Sequence, residues 1–344
     1  MAKRVSTTIV ETTLHEYGSM TRKAVRRYLE GGEPRRYLYD LVADYPTRPG
    51  KMMRPSLCVA VARTFGASLD EVLPTAAAIE LLHNALLIHD DIEDESESRR
   101  GRPSLNALHG VPLALNAGDL LLLTSLRPLL ENWRTMGPEL ASRIFDEAVR
   151  TARESAEGQA LELGWREEAN GRLREADYLE MVLKKTCWLA SIFPMRAGAL
   201  IGTRGTLDLD PFIRLGFFLG AAFQIQDDLL NLAPSAHYGK ELNGDLMEGK
   251  RTLMMIRLLQ EAAPAERAEL VRILARRRLQ RTRKQVLWMR KLFDKYDCIY
   301  YARHLAEELA GAALHEFSRI YTGMPDSRDR QFIEALMVWV IERN

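Results

Sequence analysis

Apolar residues along this chain return every three to four positions rather than every second one. Tyr37, Leu38, Leu41 and Val42 form one such stripe, and Ile144, Phe145, Ala148 and Val149 form another. That spacing predicts amphipathic helices. No run alternates apolar and polar residues for long enough to predict a strand. Gly- and Pro-bearing stretches punctuate the pattern, at Gly31–Pro34, Pro46–Gly50, Gly101–Pro103, Gly137–Pro138, Gly202–Gly205 and Gly323–Pro325. They divide the chain into many helices. None is a long linker and no repeat of solenoid period is present, so the expectation is one all-α domain over residues 1–344, with 1–39 as an N-terminal helical segment.

Two acidic clusters interrupt the apolar pattern, Asp90-Asp91-Ile92-Glu93-Asp94 and Asp227-Asp228-Leu229-Leu230-Asn231. On a helix advancing about 100° per residue, positions i, i+1 and i+4 share a face, so each cluster presents three oxygen ligands together. Carboxylates crowded beside the apolar runs Leu86-Leu87-Ile88 and Phe223-Gln224-Ile225 repel one another and lose hydration, and bound cations relieve both costs. Oxygen ligands without His or Cys predict magnesium rather than zinc. One such cluster by itself reads as a solvated acidic helix face. Two, each following an apolar turn and each surrounded by phosphate-suited residues, predict a site for metal and diphosphate.

Those phosphate-suited residues are Gly50-Lys51-Met52-Met53-Arg54-Pro55, His83 and Arg99-Arg100-Gly101. Arginine offers a planar fork to phosphate oxygens, and lysine and histidine offer point donors. His83 precedes Asp90 by about two helical turns and shares its face. Alone it would read as a packed core histidine, and its place between two basic motifs favours substrate contact.

Composition narrows the function classes. Hydrophobic residues make up 47% and charged residues 28%, as in globular proteins rather than disordered ones. With 48 Lys and Arg against 47 Asp and Glu, no global field draws the chain to nucleic acid or an anionic membrane. The one basic run, residues 276–284, is expected to be a solvated helix face. Cys58, Cys187 and Cys298 have no metal-ligand spacing and suggest no disulfide framework, so a cytoplasmic location is expected. The first residues lack an apolar signal core. The stretch Val111–Leu123 is broken by Pro112, Asn116, Gly118 and Asp119 and stays under the roughly 20 residues of a bilayer span, so no transmembrane helix is expected.

In order and spacing, Gly50-Lys51, Arg54-Pro55, Glu80-Leu81-Leu82-His83, His89-Asp90-Asp91, Asp94, Arg99-Arg100-Gly101, Gly158-Gln159, Lys185-Thr186, Gln224 to Asp228, and Gly239-Lys240 to Lys250 resemble the trans-isoprenyl diphosphate synthases of the polyprenyl synthetase family. Geranylgeranyl diphosphate synthases are the most similar, and residues 40–255 carry the match. The resemblance implies an antiparallel helical bundle around a deep central cavity, with the two acidic clusters facing across its mouth. It implies three magnesium ions held by Asp90, Asp91, Asp94, Asp227, Asp228 and Asn231. Lys51, Arg54, His83 and Arg100 would hold isopentenyl diphosphate. Arg99, Lys185, Lys240 and Lys250 would hold the allylic diphosphate, which is dimethylallyl, geranyl or farnesyl. Lys185, Thr186 and Gln224 would flank the reacting allyl group, and a homodimer is implied. Met52 stands where the family usually has a basic residue, Asn231 where it has a final aspartate, and Arg343 resembles a terminal basic residue of relatives.

The implied reaction joins isopentenyl diphosphate head-to-tail to an allylic diphosphate through an allylic cation, with no protein nucleophile. A class I terpene cyclase shares the ionisation step but needs no second diphosphate site, against which Lys51, Arg54 and Arg100 argue. A non-catalytic regulatory subunit would not need the intact aspartates. By the resemblance, Ala85 and Leu86 set chain length. Neither is aromatic, so the product should exceed fifteen carbons, with Leu120–Leu123 as a deeper floor and geranylgeranyl diphosphate as the expected product; farnesyl or longer polyprenyl products are the alternatives.

Overall fold

A computed structural model describes residues 2–168, 171–232 and 242–342. α1 (Ala2–Leu29), α2 (Asp40–Thr47) and α3 (Met53–Thr64) lead into α4 (Leu69–Glu93), whose last turn carries the first acidic cluster. The Ser68 backbone N–H donates to Glu71 Oε2 at 2.9 Å, tying down the first turn of α4 as one arm of a capping box. Every residue from Thr75 to Leu82 is buried, so this helix is enclosed on all sides by the bundle.

The chain then forms a short hairpin, β1 (Ser98–Arg99) against β2 (Arg102–Pro103), with Arg99 opposite Arg102. The alternation test predicts no strand here because each arm is only two residues long. Its turn needs left-handed backbone at Gly101, at φ 74°. Beyond it lie α5 (Leu105–His109), α6 (Val111–Thr124), α7 (Leu126–Thr135) and α8 (Pro138–Glu167). α9 (Glu175–Val182) runs directly into a π-helical segment, Leu183–Ile192, and then α10 (Phe193–Gly202). α11 (Pro211–Asn231) ends on the second acidic cluster. The remainder is α12 (Gly244–Glu248), α13 (Leu253–Glu261), α14 (Pro264–Leu274), a 3-10 turn at Arg278–Gln280, α15 (Arg283–Lys295), α16 (Cys298–Ile320) and α17 (Arg328–Glu342).

The main core forms where α3, α10, α11, α16 and the π-helical segment pack together, and a second core joins α2, α4 and α6. Two glycines set the spacing around the site. A Cβ on Gly158 of α8 would lie 2.2 Å from the backbone nitrogen of Lys185, and one on Gly220 of α11 would lie 2.8 Å from Cys187 Sγ. Any side chain at either position would push α8 or α11 away from the π-helical segment.

The structure bears on two sequence expectations. Leu69–Glu93 and Val111–Thr135 are both long and apolar enough to cross a bilayer by length and composition, the second because α6 and α7 join into a longer helical run past the interruptions in Val111–Leu123. The first is 67% buried within the bundle and the second only 39%. Residues 276–284 are not one solvated helix face. Arg281 is buried and donates to the carbonyls of Leu274 and Met247, and Arg278 turns inward to Glu248 Oε1 at 2.7 Å.

Candidate functional site

The ends of α4 and α11, the hairpin, α8 and the π-helical segment surround a cavity of about 530 Å³. Asp90 and Asp227 both line it, with Arg54, His83, Arg99 and Arg100 among the polar groups and Leu86, Leu87, Leu163, Leu189 and Phe223 among the apolar ones. Two smaller hollows open beside it, one bounded by Glu162, Asp228 and Asp245, the other by Asp94, Asn231 and Arg278.

Within the first cluster the three aspartates have different surroundings. Asp90 receives Arg99 Nη2 at 3.0 Å and faces Lys185 Nζ at 3.3 Å. Asp94 pairs with Lys250 Nζ at 2.7 Å and with Arg166. Asp91 is fully buried, bonded by Arg99 Nε at 2.9 Å and by the Tyr45 hydroxyl, and it does not line the cavity. Burial and these two partners make it the group that holds Arg99 in position.

In the second cluster, Asp228 accepts from the Tyr178 hydroxyl at 2.9 Å and from Gln224 Nε2 at 2.8 Å, and Asn231 Oδ1 accepts from the Asp245 backbone N–H at 3.1 Å. Thr186 Oγ1 donates to Gln224 Oε1 at 2.8 Å, so the expected pair does meet. The π-helical turn sends neighbouring lysines apart: Lys184 to Glu154 and Glu157 on the outside, Lys185 to Glu162 and Asp90 on the inside.

Arg100 reaches Asn84 Oδ1 at 3.3 Å and the Tyr45 carbonyl at 3.2 Å, with Glu80 at 4.0 Å. Arg48, buried beneath the hairpin, donates to the carbonyls of Arg99 and Pro103 at 2.8 Å each and so fixes the turn that carries both site arginines. Lys51 is exposed and places its Nζ 5.3 Å from the centre of the Trp339 ring rather than in the cavity lining. Met52 is buried against Gly18 of α1. Ala85 is fully buried in the core shared with α6 and does not reach the cavity, whereas Leu86 does. Leu120–Leu123 do not line the cavity either: Leu121 is buried in that core and Leu123 is exposed. Lys240 and Arg343 lie outside the described residues.

Sequence reasoning missed Glu162, Arg166, Tyr178, Tyr45, Asp245 and Arg278. Gln159, Glu162 and Arg166 share one face of α8 by their i, i+3 and i+7 spacing, a signal the sequence does carry. The two tyrosines come from distant segments with no local signature, while Asp245 stood only inside the matching pattern and Arg278 only inside the basic run.

The electrostatics follow from burial. Burial and the nearby Asp245 push the Asp228 carboxyl up to about 8, and burial pushes Glu248 up to about 7 against the pull of Lys250. Burial opposes charge on Lys250, but Asp94 and Glu248 hold its ammonium well above the ordinary lysine range. Burial and then Arg54 and Arg100 push His83 well below its ordinary value, so near neutral pH it offers a hydrogen bond rather than a charge.

Desolvated carboxylates on two facing helix ends fit a divalent cation. Among the described residues no three His, Cys, Asp or Glu side chains form a ready-made metal cage. A magnesium ion here would be shared between one or two carboxylates and substrate phosphate oxygens, as is usual for that ion.

The sequence model for polyprenyl synthetase matches residues 35–289. A short chain isoprenyl diphosphate synthase of Methanothermobacter thermautotrophicus is 32% identical over 299 residues, covering 86% of this chain and 87% of that protein. A geranylgeranyl pyrophosphate synthase of Geoglobus acetivorans is 30% identical over 336 residues, covering 98% of this chain and all of its own. The crystal structure of a geranylgeranyl pyrophosphate synthetase from Pyrococcus horikoshii superposes with a TM-score of 0.85 at 28% identity, covering 97% of this chain and 98% of that one.

Proposed function

Because this chain belongs to the polyprenyl synthetase family, we propose that it is a prenyltransferase that joins isopentenyl diphosphate head-to-tail to an allylic diphosphate, with geranylgeranyl diphosphate as its main product. The observation that carries this reading is the single cavity in which Asp90 and Asp227 stand beside Arg54, His83 and Arg100, with an apolar wall of Leu86, Leu189 and Phe223. A class I cyclase would need only the ionising half of that arrangement.

Asp90, Asp94 and Asp227 would hold magnesium, with Asp228 joining once its proton is displaced. Bound magnesium would supply charge stabilisation to the departing diphosphate. Lys185, Lys250 and Arg99 orient the allylic diphosphate and share its charge. Arg54, Arg100 and neutral His83 hold isopentenyl diphosphate beside it. The Thr186 hydroxyl and Gln224 carbonyl direct oxygen dipoles toward the developing cation, and the apolar wall excludes the water that would trap it. The diphosphate released in this step is the proposed acceptor of the proton lost after coupling.

A homodimer is supported by the exposed apolar residues Val111, Leu115 and Leu123 on α6 and Leu130 on α7, a face that a second copy would cover. Contacts of α1 with both α3 and α17 support a single domain. Three buried free thiols support a reducing, cytoplasmic compartment.

The direct test incubates the protein and magnesium with isopentenyl diphosphate and each of dimethylallyl, geranyl and farnesyl diphosphate, then sizes the products. A twenty-carbon prenyl diphosphate is expected. Cyclic hydrocarbon from an allylic substrate alone, or no turnover with any pair, would overturn the reading. Sedimentation of wild type and Leu123→Glu tests the dimer, with a shift to monomer expected in the variant.

A further inference from the structure

We propose that the segment 276–291 is a docking surface for an anionic lipid bilayer, set beside the mouth of the cavity. The chain's near-neutral total conceals a local segregation: between Glu269 and Asp294 there is no acidic residue. The structure divides the bases of this stretch into two groups. Arg278, Arg281 and Arg290 turn inward, to Glu248 and to the buried or part-buried carbonyls of Leu274 and Leu232. Arg277, Arg283, Lys284 and Lys291 face solvent and form no ion pair among the described residues.

Two leucines stand among those exposed bases. Leu279, on the 3-10 turn, is 85% exposed, the most of any large apolar residue described. Leu287 is 50% exposed and shares the outer face of α15 with Lys284 and Lys291, at i−3 and i+4. Bases alone would suit any polyanion, but leucines standing clear of the surface among them suit a bilayer, where lysine and arginine meet headgroups and leucine enters the acyl boundary. The surface adjoins the site because Arg278, between Arg277 and Leu279, lines the entrance hollow together with Lys250.

The test needs no substrate, so it stands or falls independently of the enzymatic reading. The full chain is sedimented with sucrose-loaded vesicles of phosphatidylcholine alone or of phosphatidylcholine with an equal part of phosphatidylglycerol. The wild type is expected to pellet with the anionic vesicles only and to be released as rising salt shortens the Debye length. Neutralising the bases in Arg277→Gln, Arg283→Gln and Lys284→Gln is expected to weaken partition about fivefold for each base. Leu279→Ser with Leu287→Ser is expected to weaken it about tenfold or more, while the thermal unfolding midpoint stays at the wild-type value. Absence of binding to anionic vesicles, or equal binding to neutral ones, would overturn the proposal. So would a leucine variant that pellets like the wild type, because the patch would then be a general polyanion surface.

Discussion

Lys250 reaches Asp94 across the cavity mouth, its Nζ 2.7 Å from Asp94 Oδ2 and 2.9 Å from Glu248 Oε2. This contact links the end of α4 to the segment after α12, so charge balance at the first acidic cluster depends on residues far along the chain. Were magnesium to take up that carboxylate, the same ammonium would be left to hold a diphosphate, as its proposed role requires.

Asp90→Ala and Asp227→Ala are each expected to lower kcat by about a thousandfold, since each removes a charged group proposed to act where diphosphate leaves. Far-ultraviolet circular dichroism should be unchanged, because both side chains line the cavity rather than the core. Turnover within about tenfold of wild type in both variants would refute the metal assignment.

Asp228 gives a pH prediction. Its carboxyl ionises near 3.8 ordinarily but at about 8 in the folded chain, so the folded state binds this proton more tightly than the unfolded state. Its stabilising contribution is present at low pH and is lost as pH rises through about 8. The metal-free protein is expected to lose thermal stability progressively between about pH 4 and about pH 8, with magnesium restoring more of it at the upper end. Asp228→Asn should flatten this dependence while abolishing turnover. An unchanged pH slope of Tm in the variant would show that Asp228 is not the group responsible.

Arg54 lines the cavity with His83 and Arg100, and both guanidinium charges act on the His83 imidazole. Arg54→Ala should raise KM for isopentenyl diphosphate about tenfold or more and change that for the allylic substrate less than about twofold. Steady-state kinetics varying one substrate at a time decides it, and equal changes in both would contradict the division of the site.

Leu86 and Ala85 are neighbours with separate consequences. Leu86→Phe should fill the cavity and shift the product toward farnesyl diphosphate with little change in Tm. Ala85→Phe should instead overpack the core that includes Ala114, Ala117 and Leu121, at a cost of about 1–3 kcal/mol. Product sizing and thermal unfolding separate the two. A stable Ala85→Phe enzyme making shorter product would return Ala85 to the chain-length role.

The helical architecture and both acidic clusters were legible in the amino-acid sequence because each depends on local spacing. A three-to-four-residue period specifies a helix face, and aspartates at i, i+1 and i+4 share one side of it wherever that helix goes. Leu86 and Gln159 came out through the family resemblance, with helix geometry one turn before Asp90 supporting Leu86. What each aspartate does was decided by tertiary structure. Asp90 and Asp91 are adjacent in the chain, yet one opens to the cavity and the other is enclosed by Tyr45 from α2 and Arg99 from the hairpin. Arg278 carried no signal beyond membership of a basic run, and only the turn before α15 brings it to Glu248. In the same way α8 can supply Glu162 to Lys185 only because Gly158 lets two backbones come close. Such contacts join segments tens to hundreds of residues apart, and the closure entropy and packing that select among them are properties of the whole chain rather than of any motif.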